Sequence, residues 1–239
     1  MVTEGNHEVE IIPIVVPDGF RSYNARWKMP HKESNSTSNL YYSFKVAGAH
    51  VVMLGSYTLF ERDSDQYKWL QANLAAIDRV KTPWVVVVVH APWYNTNKAH
   101  QGEGESMRKA MEELLFRARV DIVIAGHVHA YERFTRIYDN KGNPCGPVYI
   151  TIGDGGNREG LATKFDEPQS TLSLFRESSF GHGRLLLIDE KQARWSWHHN
   201  QDDGSTVADK ASFDSLSSTS QCWETPADEG WSVEDRDEL

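Results

Sequence analysis

The chain reads as an α/β protein, a layered sandwich of two packed mixed β-sheets flanked by helices. Three observations predict this. Residues 84–89 form a nearly unbroken valine run, which no helix favours, and its lack of polar alternation implies burial on both faces. In the first half, apolar strand candidates alternate with amphipathic helix candidates. Beyond residue 130 the pattern turns to strands alone, which supplies a second β layer.

The elements follow in order. Residues 2–8 read as a short strand breaking at Gly5-Asn6-His7-Glu8. A long loop over 17–38 holds one short helix near 20–27. Two strands, 40–46 and 50–56, are joined through Ala47-Gly48-Ala49 as a hairpin. A helix over 64–78 carries the stripe Tyr67, Leu70, Leu74 and Ile77, with Asp63 and Gln66 as its capping box. The valine strand ends in His90-Ala91-Pro92-Trp93-Tyr94-Asn95. A second helix over 103–118 turns Met107, Met111, Leu114 and Ala118 to one side, the methionines as core filler. Strands at 121–125, 134–138, 148–152, 184–188 and 193–199 complete the pattern, without internal repeats.

Composition narrows the function. The chain has 239 residues and a formal charge of −9. Of its acidic residues, 11 lie from Asp202 onward against two basic ones, so residues 1–201 are neutral. The acidity belongs to a Ser/Asp-rich tail, 202–239, expected to be solvated and partly mobile. No basic cluster suggests nucleic acid. No run approaches the ~18 apolar residues of a membrane span, and the first residues show no signal-peptide pattern. Cys145 and Cys222 are the only cysteines and stand outside any CxxC pair; they are free to form one disulfide in an oxidising compartment. Asn35-Ser36-Thr37 is a glycosylation sequon, meaningful on a secretory route. The final Arg-Asp-Glu-Leu resembles an ER-retention tetrapeptide, which acts only on chains that enter the ER.

Three times the chain leaves a strand and at once offers Asn or His: Asn6-His7, His90, and His127 with His129. In extended backbone, His127 and His129 leave by one face while Val128 turns away. Imidazoles at the mouth of a strand suit a Zn, Fe or Mn centre. Paired surface histidines would leave the same local signature. It is the recurrence at three strand ends, brought to one sheet edge by helical crossovers, that argues for a site. His182, His198 and His199, beside turns and strand edges, read as structural.

GNHE, VVVVVHAPWYN and GHVHAYER, in this order, resemble the last three of five motifs of the plant-type purple acid phosphatases, members of the calcineurin-like metallophosphoesterases. ITIGDGGN, FGHGRLLLID and the Trp-Ser-Trp-His strand are similar to the same family's C-terminal half. The resemblance implies a metallophosphoesterase sandwich missing its N-terminal strands, with 1–201 as the C-terminal part of a catalytic domain. It also implies Fe(III) beside Zn, Fe or Mn(II). Asn6, His90 and His127 match ligands of the divalent ion, and His129 a ligand of Fe(III). His7 matches a histidine that contacts the substrate phosphate. Two cations about 3.5–4 Å apart clamp an in-line phosphoryl displacement and lower the pKa of a bound water. A histidine outside the ligand shell can steady charge or protonate the leaving alkoxide. His100, with Glu103 nearby, stands where some relatives carry adjacent histidines, a further catalytic or phosphate contact.

The family's upstream GDxG and GDxxY motifs, with a bridging aspartate and a tyrosine on iron, are not in this sequence. Gly153-Asp154-Gly155-Gly156 resembles a separate C-terminal glycine turn, so Asp154 is not expected as a ligand. The expected function is acid-phosphatase-type hydrolysis of phosphate monoesters, weak or absent in this chain alone. A related diesterase or nucleotidase is a further reading. The alternative is a non-catalytic metal-binding or chain-pairing module, since missing strands would leave an open sheet edge and favour a dimer. Resemblance implies a secreted or vacuolar setting.

Overall fold

The valine run is the centre of the larger sheet. In the computed structural model, which describes residues 1–10, 19–200 and 206–223, β3 (Trp84–Val89) lies parallel to β2 (Ala49–Leu54) and to β4 (Ile122–Ala125). Parallel pairing continues from β4 to β7 (Val148–Ile152). Antiparallel strands extend both sides: β1 (Tyr42–Val46) on β2, and β5 (Tyr131–Tyr138) on β7. The short β6 (Lys141–Gly142) and β8 (Ser173–Glu177) both pair with β5. The sheet order is β1-β2-β3-β4-β7-β5-β6.

Two helices cover one face. In α2 (Asp65–Ala75) and α3 (Glu105–Arg117), Trp69, Leu70, Leu74, Met107, Met111 and Leu115 are buried against Val52, Val85, Val87 and Val123 of the sheet. The methionines are core filler, as expected. On the other face lies a three-stranded antiparallel sheet: β9 (Gly181–Leu187), β10 (Gln192–His199) and β11 (Val207–Asp214). Trp195 and Trp197 from β10 fill the space against Trp84, Ile122, Tyr131 and Ile150. Tyr131 stacks on Trp197 at 4.4 Å, and the Arg133–Asp209 ion pair ties the sheets together.

Several expectations are corrected. Residues 2–8 form no strand; Asn6–Glu8 is a single 3-10 turn, held where the Glu8 carboxylate accepts the Gly5 N–H. The α2 N-cap is Ser64, whose Oγ accepts Tyr67 N–H, while Gln66 turns inward to the backbone of Gly55. The boundary drawn at 201 falls inside the fold. β11 pairs along β10, burying Asp209 and Phe213 on alternate positions, and Cys222 is bonded to Cys145. Packing therefore extends at least to Cys222: a strand with Asp209 paired to Arg133 looks acidic and solvated in sequence because its partner lies far away. Residues 224–239, including Arg-Asp-Glu-Leu, lie outside the described residues. The short helix α1 (Arg21–Arg26) is as read from sequence. The hairpin connection is shorter than the expected Ala47-Gly48-Ala49: Ala49 already pairs with Val46, leaving the two-residue turn Ala47-Gly48, both at positive φ.

Parallel β2, β3, β4 and β7 present their C-terminal ends at one edge. Their continuations are Gly55–Thr58, His90, Gly126–His129 and Gly153.

Candidate metal centre

His90 leaves β3 with its ring in contact with the 3-10 turn. Gly5 permits this approach: a Cβ there would stand 2.8 Å from His90 Cε1 and 3.1 Å from Nδ1. His90 Nε2 consequently lies 3.1 Å from Asn6 Oδ1 and 3.1 Å from His127 Nδ1. Donor atoms about 2.0–2.1 Å from one Zn-type ion stand about 3.0–3.4 Å apart at ordinary coordination angles. Each of these two contacts has the spacing of two donors on one divalent ion, and the three side chains come from three separate loops.

The supporting contacts set their protonation. Glu103, two residues before α3, places its Oε2 2.6 Å from His127 Nε2 and its Oε1 2.8 Å from His100 Nδ1. With its Nε2–H donating a hydrogen bond to the carboxylate, His127 keeps its Nδ1 lone pair for the cluster, the carboxylate–histidine arrangement common beside metals. Burial, and then the neighbouring His127, hold the His90 ring down to about 4. Burial likewise lowers His127. Partial burial would raise the Glu103 carboxyl, but hydrogen bonds from His127 and His100 outweigh it and leave it lowered. Neutral imidazoles and an ionised carboxylate are the state a cation requires.

The extended geometry expected of GHVH is not what forms. His127 sits at φ 64°, and tight bonds run from Val128 N–H to Gly126 O and from Ala130 N–H to Val128 O. Gly153 lets β7 press against this bend; a Cβ there would meet Val128 O at 2.1 Å. A left-handed non-glycine residue costs of order 1–2 kcal/mol, strain typical of a functional turn. His129 is therefore turned apart from His127. Its Nδ1 donates to Gly160 O at 3.0 Å, leaving Nε2 open. His7 is exposed and 3.5 Å from Glu159 Oε1, outside the donor cluster but within electrostatic reach of His90. His100, at φ 57°, lays its ring 3.8 Å from that of His127.

The remaining candidates lie elsewhere. Asp154 is buried with Oδ2 accepting Trp197 N–H at 2.8 Å, so it is not in the cluster. His182 pairs with Asn200, His198 with Ser196 and His199 with Glu177, each structural as read. Asn35 is exposed at a turn.

One segment of the site escaped the sequence reading. Gly55–Thr58 follows β2, and its Ser56 and Tyr57 touch both the His90 loop and Glu4, with the Tyr57 ring 5.9 Å from that of His90. The rule that drew attention to His90, position at the end of a parallel strand, applies equally here. A serine and a tyrosine carry no metal-ligand signature, so it went unnoticed.

A layered α/β fold with amide and imidazole donors at the sheet edge defines a metal-dependent phosphoesterase scaffold. The family model for calcineurin-like phosphoesterases matches residues 1–131, and that for the iron/zinc purple acid phosphatase-like protein C matches 146–210. The chain belongs to the calcineurin-like phosphoesterases, on their purple acid phosphatase branch. It is 70% identical over 223 residues to purple acid phosphatase 22 of Arabidopsis thaliana, covering 93% of this chain and 51% of that one. It is 46% identical over 225 residues to a phosphoenolpyruvate phosphatase of Allium cepa, covering 88% and 46%. In fold it is similar to a purple acid phosphatase from yellow lupin (Lupinus luteus) seeds, with a TM-score of 0.77, 24% identity and coverage of 89% and 40%. The chain spans about half the length of the curated relatives it matches.

Proposed function

We propose that this chain is the imidazole-bearing portion of a phosphatase acting on phosphate monoesters. In this reading Asn6 Oδ1, His90 Nε2 and His127 Nδ1 hold one Zn, Fe or Mn(II) ion. The approach of Asn6 Oδ1 and His127 Nδ1 to His90 Nε2, each at 3.1 Å, carries the reading. Such an ion supplies Lewis-acid polarisation of a phosphoryl oxygen. Glu103 fixes the tautomer of His127. His7 and His100 stand at the exposed mouth, where protonated imidazoles can steady phosphate oxygens or give a proton to a leaving alkoxide. Glu103 then acts on substrate through His100, which it orients.

Trivalent iron does not fit the described residues alone. His129 Nε2 is offered to it, but Glu103 is engaged by two histidines, Glu159 by His7, and Asp154 by Trp197. Fe(III) favours hard anionic oxygen, so a dinuclear centre needs carboxylates other than these three, and in this reading the chain alone is weakly active or inactive. Association is part of the same reading, because the outer edge of β9 has no strand beside it among the described residues. A secretory or vacuolar setting is supported by the Cys145–Cys222 disulfide and the exposed Asn35 sequon. Among the described residues no helix is long and apolar enough to cross a membrane.

Calorimetry with Zn(II), elemental analysis and hydrolysis of a nitrophenyl phosphate at pH 5 test this. The expected result is one divalent ion per chain, lost in His90→Ala, with little turnover. Absence of Zn binding overturns the metal assignment, and two metals per chain with robust turnover overturns the incomplete centre.

A further inference from the structure

The two loops that bring Asn6 and His90 together share no backbone hydrogen bond with each other among the described residues; a third segment joins them. Ser56 Oγ accepts both the His90 N–H at 3.1 Å and the Ala91 N–H at 3.0 Å, using both of its lone pairs. The next residue, Tyr57, donates its N–H to Glu4 Oε1 at 3.2 Å, and Glu4 is fully buried two positions before Asn6. Beneath the turn, the buried Gln66 side chain accepts Gly55 N–H at 2.7 Å and donates to Gly55 O at 3.1 Å and Thr58 Oγ1 at 2.7 Å. The turn is thus fixed to α2 and holds one ligand loop by each hand.

We propose that Ser56 is a positioning residue for the metal site, setting the 3.1 Å separation of His90 Nε2 from Asn6 Oδ1 through the His90 and Ala91 amides, with Glu4 anchoring the other loop. A serine hydroxyl suits this task. It has the reach to take two adjacent N–H groups, and alanine in its place leaves both without their acceptor. The His90 backbone then relaxes toward other acceptors and carries its ring with it. The inference depends on the proposed function only for the identity of the bound ion; the geometry it assigns exists without metal.

The test compares wild type, Ser56→Ala, Ser56→Thr and Phe213→Ala. The last empties core space beside Val148, at the far end of β7 from the site, and controls for general destabilisation. Zn(II) affinity is measured by chelator competition. Ser56→Ala is expected to bind 10–100-fold more weakly, the usual cost of losing a group that orients a ligand. Ser56→Thr, which keeps the oxygen, should restore affinity, and Phe213→Ala should leave it within about twofold. Ser56→Ala affinity within twofold of wild type overturns the proposal, as does an equal loss in Phe213→Ala. A crystal structure of metal-free Ser56→Ala gives an independent reading: the His90–Asn6 contact is expected to open, and its retention overturns the assignment. If wild type binds no Zn(II), the proposed function fails, while the crystallographic comparison still decides the role of Ser56.

Discussion

Gly5→Ala isolates the packing requirement of the site. Gly5 has φ −127° and ψ 178°, a conformation alanine adopts freely, so the substitution brings no backbone strain. Its effect is steric. The new Cβ would stand 2.8 Å from His90 Cε1, where carbon contacts favour about 3.5 Å. The ring must withdraw by about 0.7 Å, several times the ~0.2 Å tolerance of a metal–ligand distance. His90 Nε2 then leaves its 3.1 Å contacts with Asn6 and His127. The expected stability loss is that of modest overpacking, about 1–3 kcal/mol, read from urea unfolding. The expected loss of Zn(II) affinity is at least tenfold, read by chelator competition. Affinity within twofold of wild type would show that His90 is not held against the turn, and the reasoning about Gly5 would fail.

Two further outcomes are expected. Burial lifts the Asp154 carboxyl from its ordinary 3.8 to about 6. A raised acid contributes most stability below pH 4 and loses it as pH rises through 6, a change of about 3 kcal/mol. Asp154→Asn keeps an acceptor for Trp197 and should gain on wild type across that window; a gap identical at pH 4 and pH 7 would contradict it. The disulfide closes a separation of 77 residues, and chain entropy gives about 4.5 kcal/mol for a loop of that size. Cys145→Ser with Cys222→Ser should therefore lower the unfolding free energy measured in urea on that scale, and an unchanged midpoint would refute it.

Much of the fold was legible because burial writes itself into local pattern. The valine run could only be a strand covered on both sides, and the stripes at Leu70 and Met111 could only be helices lying on it. The ligand candidates were visible for a related reason: His90 and His127 are chemically unusual at strand ends, and Asn6-His7 stands out after a turn glycine, whatever surrounds them. β11 was missed because Asp209 is balanced by Arg133, 76 positions earlier, and the 3-10 turn because Gly5-Asn6 reads equally well as the end of a strand.

By itself the sequence determined the α/β class, the motifs and the candidate donors, since these depend on residue type and short spacing. Only the tertiary structure decided how the donors are presented: His127 in a left-handed bend and parted from His129, its tautomer fixed by Glu103, and His90 hung by its backbone from Ser56. Those relations join residues up to 84 positions apart. They are fixed by close approach at Gly5 and Gly153 and by hydrogen bonds that no local pattern encodes, because each partner gains its meaning only when the other arrives.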